Sequence, residues 1–330
     1  MKKYGFLFSG QGSQTQGMIK ELCENYSVAK KTIQSISEIT NQNIEDLLWN
    51  TENAELSRSD KSQLAITSVS QALMAVLIEK GITPSAVAGF SLGEFSALSA
   101  SGVLDFETMI KIVQKRGEIM QKVCDEITAS SPDGQVPGMA AVLKLTPEHV
   151  IATLKPLTDK GIAFPVNMNS PMQTVISATA EGLAEAEVLC KEAGAKRVVK
   201  LAVAGPFHSP LMQKAADEFA KVLEPIEFKN PTIPLFANTT GEQVTDGATA
   251  KQNAVLHITN PVLWTTIEKN LANTMNDGND WKLFELGPGA TLCGLWRDSG
   301  YAKSASFEDG FTCQASGKIE ETNIIIEENV

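Results

Sequence analysis

Gly89-Phe90-Ser91-Leu92-Gly93 sets a serine between two glycines, with an apolar run before it and a helix-forming run after it. In that context a Gly-x-Ser-x-Gly sequence makes a tight strand-to-helix turn that exposes a serine hydroxyl for attack on an acyl carbon. The turn strains the serine backbone, and side chains two residues to either side would collide, which is why glycine is needed there. Oγ is then presented at a helix N-terminus, where the positive end of the dipole favours a developing anion. An ordinary turn with serine as N-cap would leave the same trace. The chemistry therefore depends on partners elsewhere in the chain.

A serine hydroxyl needs a base to take its proton, and the chain has three histidines. His149 follows Glu148 inside an expected helix and reads as a solvated residue. His208 lies in Gly205-Pro206-Phe207-His208-Ser209-Pro210, a loop from which a side chain can reach a neighbouring site. His257 stands before Asn260-Pro261 at an expected helix start and is the rival base. Acyl transfer also needs donors for the oxyanion. The Leu92 amide, next after the serine, suits that purpose. The loop Gly10-Gln11-Gly12-Ser13-Gln14 is a good place for a second donor, because its glycines allow close backbone approach. That loop lacks both the lysine of a phosphate-binding loop and the full dinucleotide spacing, so nucleotide binding is not expected.

These residues need a fold to position them, and 330 residues with 43% hydrophobic and 20% charged content can build one. The net charge of −11 and the scattered basic residues disfavour nucleic acid. Tyr4 to Phe8 is too short for a signal peptide or a membrane span and reads as a first buried strand. The five cysteines, Cys23, Cys124, Cys190, Cys293 and Cys313, form no Cys-x-x-Cys pair and leave an odd thiol. That pattern predicts unpaired thiols in a reducing compartment and no zinc site.

Strand and helix signals alternate, predicting an α/β fold. Strands are expected at 5–8 and 86–90, and helices at 62–80, 92–100 and 209–223. A further strand at 233–238, a helix at 261–273 and a strand at 282–286 follow. A Ser-, Pro- and Gly-rich stretch at 127–137 reads as a linker. After it come strand 139–145, helix 147–160 with Thr146 as N-cap, strands 164–168 and 174–178, helix 180–193 and strand 197–203. That βαββαβ order is the ferredoxin-like pattern. We expect a small subdomain at 128–200 inserted into a large domain made of 1–127 and 201–330. The tail beyond Arg297 is polar and weakly patterned.

Taken together and in register, six segments resemble one family. They are Gly10-Gln11-Gly12-Ser13-Gln14, Gly89-x-Ser91-Leu92-Gly93-Glu94, Arg116-Gly117, Asn167-x-Asn169-Ser170-Pro171, Gly205-x-Phe207-His208-Ser209 and Glu285-x-Gly287-Pro288-Gly289. Over about residues 4–297 the chain is similar to the malonyl-CoA:acyl-carrier-protein transacylases and the acyltransferase domains of polyketide synthases. The resemblance implies an α/β-hydrolase-like large domain with a parallel sheet and a ferredoxin-like insert. It also implies a ping-pong cycle in which Ser91 carries malonyl from coenzyme A to the phosphopantetheine thiol of acyl carrier protein for fatty acid synthesis. His208 would be the base, the Gln11 and Leu92 amides the oxyanion hole, and Arg116 the partner of the malonyl carboxylate. Without the family, Arg116 would read as a solvated helix arginine. Phe207 resembles the version of its loop that goes with malonyl, and Asn167 and Asn169 match polar residues near the site. The backbone carbonyl of His257, where many members have Gln, would orient the catalytic imidazole. Phe90 stands where many members have His.

The resemblance implies no cofactor beyond malonyl-CoA as substrate, and no metal. The expected partners are malonyl-CoA and acyl carrier protein, with no nucleic acid or membrane, for a monomer in the cytoplasm. Lys111, Lys115, Lys122, Lys196, Arg197 and Lys200 are candidates for meeting an acidic carrier. The alternatives are a discrete polyketide synthase acyltransferase, or a serine acyl hydrolase using Ser91 and His257 with water as acceptor. A buried cation for a malonyl carboxylate would tell against the hydrolase.

Overall fold

The computed structural model of the chain describes every residue except 133 and 304–309. Asp133 of the expected linker and part of the polar tail therefore lie outside the described residues. Among the described residues there are nine strands: β1 (Lys2–Phe8), β2 (Ala86–Gly89), β3 (Gly138–Leu143), β4 (Ala163–Ser170), β5 (Gln173–Ala178), β6 (Arg197–Lys200), β7 (Leu235–Phe236), β8 (Asp280–Leu286) and β9 (Thr312–Ala315).

Five of them form a parallel sheet in the order β7-β2-β1-β8-β9. Its central strands are apolar on both faces because helices cover both, the usual condition of a parallel sheet. Successive side chains accordingly enter different cores. Phe6, Phe8 and Phe284 join one cluster with the helix Ser59–Glu79, while Leu7, Ala88 and Leu283 join another with the helix Trp264–Met275. Ser59–Glu79 is the one described helix long and apolar enough to cross a membrane. It is instead the core helix, packed against the helices Ser27–Thr40 and Phe106–Ser130.

The segment from Gly138 to Lys200 folds as βαββαβ into a four-stranded antiparallel sheet, β4-β5-β3-β6, the ferredoxin-like arrangement expected from the sequence. Its helices Pro147–Asp159 and Ala180–Glu192 begin at Thr146 and Thr179, whose side chains accept from the His149 and Gly182 amides. The two sheets are joined by more than chain connectivity. The Val262 amide donates to the Val166 carbonyl, and the Met168 amide donates to the Val262 carbonyl.

Several expectations need correction. The helix Phe106–Ser130 runs into the expected linker, because Ile127 still packs on the core and only Pro132 forbids another turn. The strand expected at 197–203 stops at Lys200, after which Leu201, Ala202 and Val203 turn to line a cleft. The helix expected from Pro261 begins at Trp264, since the Val262 backbone is committed to β4. His257 does not open a helix but caps the end of Gly247–Leu256. The tail forms β9 and the helix Ile319–Asn329.

The cysteine reading also fails in part, for Cys293 and Cys313 are joined as a disulfide. The helix Thr291–Asp298, which follows β8 and carries Cys293, packs on β9, which carries Cys313, and brings their Cα atoms to 5.3 Å, within bridging range, a neighbourhood that a separation of 20 residues does not advertise. The cysteine pattern therefore gives no argument for a reducing compartment. Cys23, Cys124 and Cys190 are free and buried, and burial pushes their thiols up to about 11, about 12 and about 11.

Candidate active site

Ser91 follows β2 at the head of the helix Gly93–Ala100, with φ of 50°, in the left-handed region that non-glycine residues avoid. The flanking glycines are required by contact. A Cβ on Gly89 would enter the Gly93 backbone, and one on Gly93 would enter the Phe8 carbonyl of the adjacent strand. Ser91 opens into a cleft of about 340 Å³ between the two sheets, together with Gln11, Phe90, Asn167, Asn169, Phe207 and His208.

His208, not His257, reaches the serine. Its Nε2 lies 2.8 Å from Ser91 Oγ, and its Nδ1 lies 2.8 Å from the His257 carbonyl. A carbonyl can only accept, so the ring proton sits on Nδ1 and the Nε2 lone pair faces the hydroxyl. Burial, and then the charge of Arg116, lower His208 to about 4, which keeps the imidazole neutral at pH 7. The His257 ring is fully buried and stacks on His208 at 5.0 Å between centroids, with neither ring nitrogen hydrogen-bonded. Its Nδ1 is 3.7 Å from Glu94 Oε2, and burial holds it well below the usual histidine range.

The Gln11 and Leu92 amides form no hydrogen bond among the described residues, so both can meet a new acceptor. Arg116 is far from a solvated helix residue, being 1% exposed. Its Nη1 donates to Gln63 Oε1 at 2.7 Å and its guanidinium lies 5.3 Å over the Phe95 ring, while Nε and Nη2 have no partner. Burial lowers it only to about 10, so it stays charged. A buried cation with unpaired donors is costly unless an anion completes it. Gln63 also donates to Gln11 Oε1 at 3.4 Å, linking the arginine to the loop after β1.

Asn167 and Asn169 both line the cleft, being two apart on β4 and so on one face. Phe207 is buried, and its carbonyl accepts from Ser177 Oγ. Phe90 also lines the cleft and meets Trp264 edge-on at 5.3 Å. Among the described residues, no group of three or more His, Cys, Asp or Glu is placed to hold a metal. Lys111, Lys115 and Lys122 are paired with Glu107, Glu118 and Glu218, whereas Lys196, Arg197 and Lys200 have no ion pair among the described residues.

Sequence reasoning missed Gln63 and Asn238, and gave Glu94 no role. Glu94 left a trace as the one charged residue in a helix that is otherwise small and apolar, and Gln63 as a polar residue among the apolar positions of its helix. Asn238 left none, because its partners lie 144 to 149 residues away.

The family model "Acyl transferase domain" matches residues 5–280. A malonyl CoA-acyl carrier protein transacylase of Haemophilus influenzae is 37% identical over 298 residues, covering 89% of this chain and 91% of that relative. One from Bacillus subtilis is 36% identical over 297 residues, covering 89% and 90%. An acyl carrier protein S-malonyltransferase structure from Vibrio cholerae superposes with a TM-score of 0.86 at 34% identity, covering 98% and 99% of the two chains. A malonyl-transacylase solved in complex with its type II PKS acyl-carrier protein gives 0.87 at 33% identity, covering 99% and 100%. On the family match and these relatives, the chain belongs to the acyl transferase domain family.

Proposed function

We infer that this chain moves a malonyl group from malonyl-CoA to the phosphopantetheine thiol of acyl carrier protein, feeding fatty acid synthesis, with the group held as an ester on Ser91 between two half-reactions. The observation that carries this reading is the Ser91–His208 contact of 2.8 Å in a cleft beside a buried arginine with unpaired donors.

In the first half-reaction Ser91 Oγ attacks the thioester carbon while His208 Nε2 takes its proton. The Gln11 and Leu92 amides hold the oxyanion. The carbon–sulfur bond then breaks, and the proton passes from His208 to the departing coenzyme A thiolate. In the second, His208 takes the proton of the carrier thiol, the sulfur attacks the ester, and the proton returns to Ser91. Arg116 pairs with the free malonyl carboxylate, with Phe207, Asn167 and Asn169 as walls. The His257 carbonyl holds the proton on Nδ1 throughout. Lys196, Arg197 and Lys200, uncommitted to ion pairs, suit an acidic carrier. A cytoplasmic setting, where malonyl-CoA and acyl carrier protein meet in a bacterium, is the compartment this reading proposes.

Incubation with malonyl-CoA and no carrier should add one malonyl mass to the intact chain, absent in Ser91→Ala. Arg116→Ala should lower loading at limiting malonyl-CoA by about 10- to 100-fold, the worth of hydrogen bonds to a charged group. Acetyl-CoA loading as fast as malonyl-CoA, with rapid loss of the ester to water, would hand the site to an acyl hydrolase. The relative solved with a type II PKS carrier favours a second reading with the same chemistry and a different acceptor. Offering both carrier classes to the malonylated chain decides between them.

A further inference from the structure

We propose that Asn238 is a positioning residue for the acyl transfer: its side chain clamps the nucleophile turn so that Ser91 Oγ faces His208 and the next amide, that of Leu92, is left free for the oxyanion. The proposal rests on the reading of Ser91 as the acyl carrier and adds a residue to it.

Asn238 follows β7, the edge strand beside β2, and is fully buried. Its Oδ1 accepts from the Ser91 amide at 2.8 Å, and its Nδ2 donates to the Gly89 carbonyl at 2.7 Å. The side chain thus spans the turn from Gly89 to Ser91 across Phe90. Its orientation is settled by its backbone partners, because the Gly89 carbonyl can only accept and the Ser91 N–H can only donate; Nδ2 also donates to Glu94 Oε2. Glu94 Oε2 accepts the Asn238 backbone amide as well, at 3.1 Å, so one buried carboxylate holds both ends of the residue.

Two consequences make the clamp functional. The Ser91 amide is consumed, so the turn offers the oxyanion only the Leu92 amide. The left-handed Ser91 backbone is pinned at its own N–H; with that bond gone, the peptide between Phe90 and Ser91 can rotate and carry Oγ away from Nε2. The Asn238 carbonyl meanwhile accepts the Leu263 amide at 2.9 Å. Asn238 therefore joins the nucleophile turn to the segment running from His257, whose carbonyl holds His208.

The test uses a fluorophosphonate, which reports serine nucleophilicity whatever acyl group the cleft prefers. Ser91 Oγ bonds to phosphorus, fluoride leaves, and His208 takes the hydroxyl proton. Asn238→Leu, close in volume but without hydrogen bonds, should slow labelling by about 100-fold, the scale of a small misplacement of reacting groups. In a His208→Ala background the same substitution should cost at least about tenfold less than in the wild type, since the aligned base is already gone and only the oxyanion share of the clamp remains. Wild-type labelling in Asn238→Leu, or an equal loss in both backgrounds, overturns the proposal. If Asn238→Leu does not fold, Asn238→Ser, too short to span the turn, faces the same two outcomes. A wild-type chain that neither labels nor loads malonyl sinks the function and this role together, whereas normal loading with an indifferent Asn238→Leu sinks only the clamp.

Discussion

The parallel sheet brings Gln11 and Ser91 to the cleft from loops at the ends of adjacent strands, whereas the antiparallel sheet lines it with alternate residues along its strands. Met139 and Ala141, Asn167 and Asn169, and Gln173 and Val175 are such pairs, each two residues apart. The first arrangement fixes backbone amides and one strained hydroxyl relative to each other. The second offers a wall whose side chains can change without moving the backbone. His208 comes from the loop returning from β6, where the two arrangements meet.

If that division holds, the largest effect falls at the junction. His208→Ala should cut the rate of malonyl-ester formation by about 10³-fold, in the range for a lost general base, while His257→Gln, which keeps the backbone carbonyl, should cost less than tenfold. Rapid-quench mass spectrometry on both variants measures the contrast, and a comparable loss in His257→Gln would assign its ring a part in the chemistry. On the antiparallel side, Asn169→Ala should raise KM by about 2- to 10-fold, the worth of one hydrogen bond, with kcat nearly unchanged. A loss in kcat alone would move that wall into the reacting machinery.

The pH profile sharpens the contrast further. A neutral imidazole is the competent base, and His208 is lowered to about 4 by burial and then by Arg116. Loading should therefore hold from pH 7 through pH 6 and fall only as the pH nears the lowered value. Arg116→Ala removes a lowering charge, so its acid limb should lie at higher pH. The smallest effect on activity is expected from the disulfide, whose sulfurs do not line the cleft although Leu292 and Leu295 of the same helix do. Cys293→Ser with Cys313→Ser should leave loading within 2-fold, yet lower stability by about 3 kcal/mol, as expected for opening a loop of this length, which calorimetry can read.

How much of this was legible in the sequence depended on how local each cause was. The nucleophile turn was readable because glycine at 89 and 93 answers a steric demand within five residues. The βαββαβ unit was readable because strand signals alternate with helix signals in that order, the first helix opened by Thr146. Strand β7 was overextended, since only Leu235 and Phe236 pair with β2. The early helices Lys20–Asn25, Ser27–Thr40, Ile44–Trp49 and Asn53–Leu56 were passed over, and the Cys293–Cys313 pair was missed. The choice between His208 and His257 stayed open on the residues alone, because both follow from loops whose packing is decided elsewhere. Asn238 was invisible for the same reason, as all its side-chain bonds are long-range.

Phe8 stands in register with Gly89 on one side and Leu286 on the other. The loop bearing Gln11, the turn bearing Ser91 and the segment leading to Thr291 are thus all counted from one rung of a ladder. Positions on such a ladder change only in whole steps of about 3.3 Å, longer than a hydrogen bond. The spacing of the reacting groups is therefore digital rather than continuously adjustable. Point substitutions can retune this cleft by degrees, but a single-residue deletion between Phe8 and Gln11 would displace a donor by a full step.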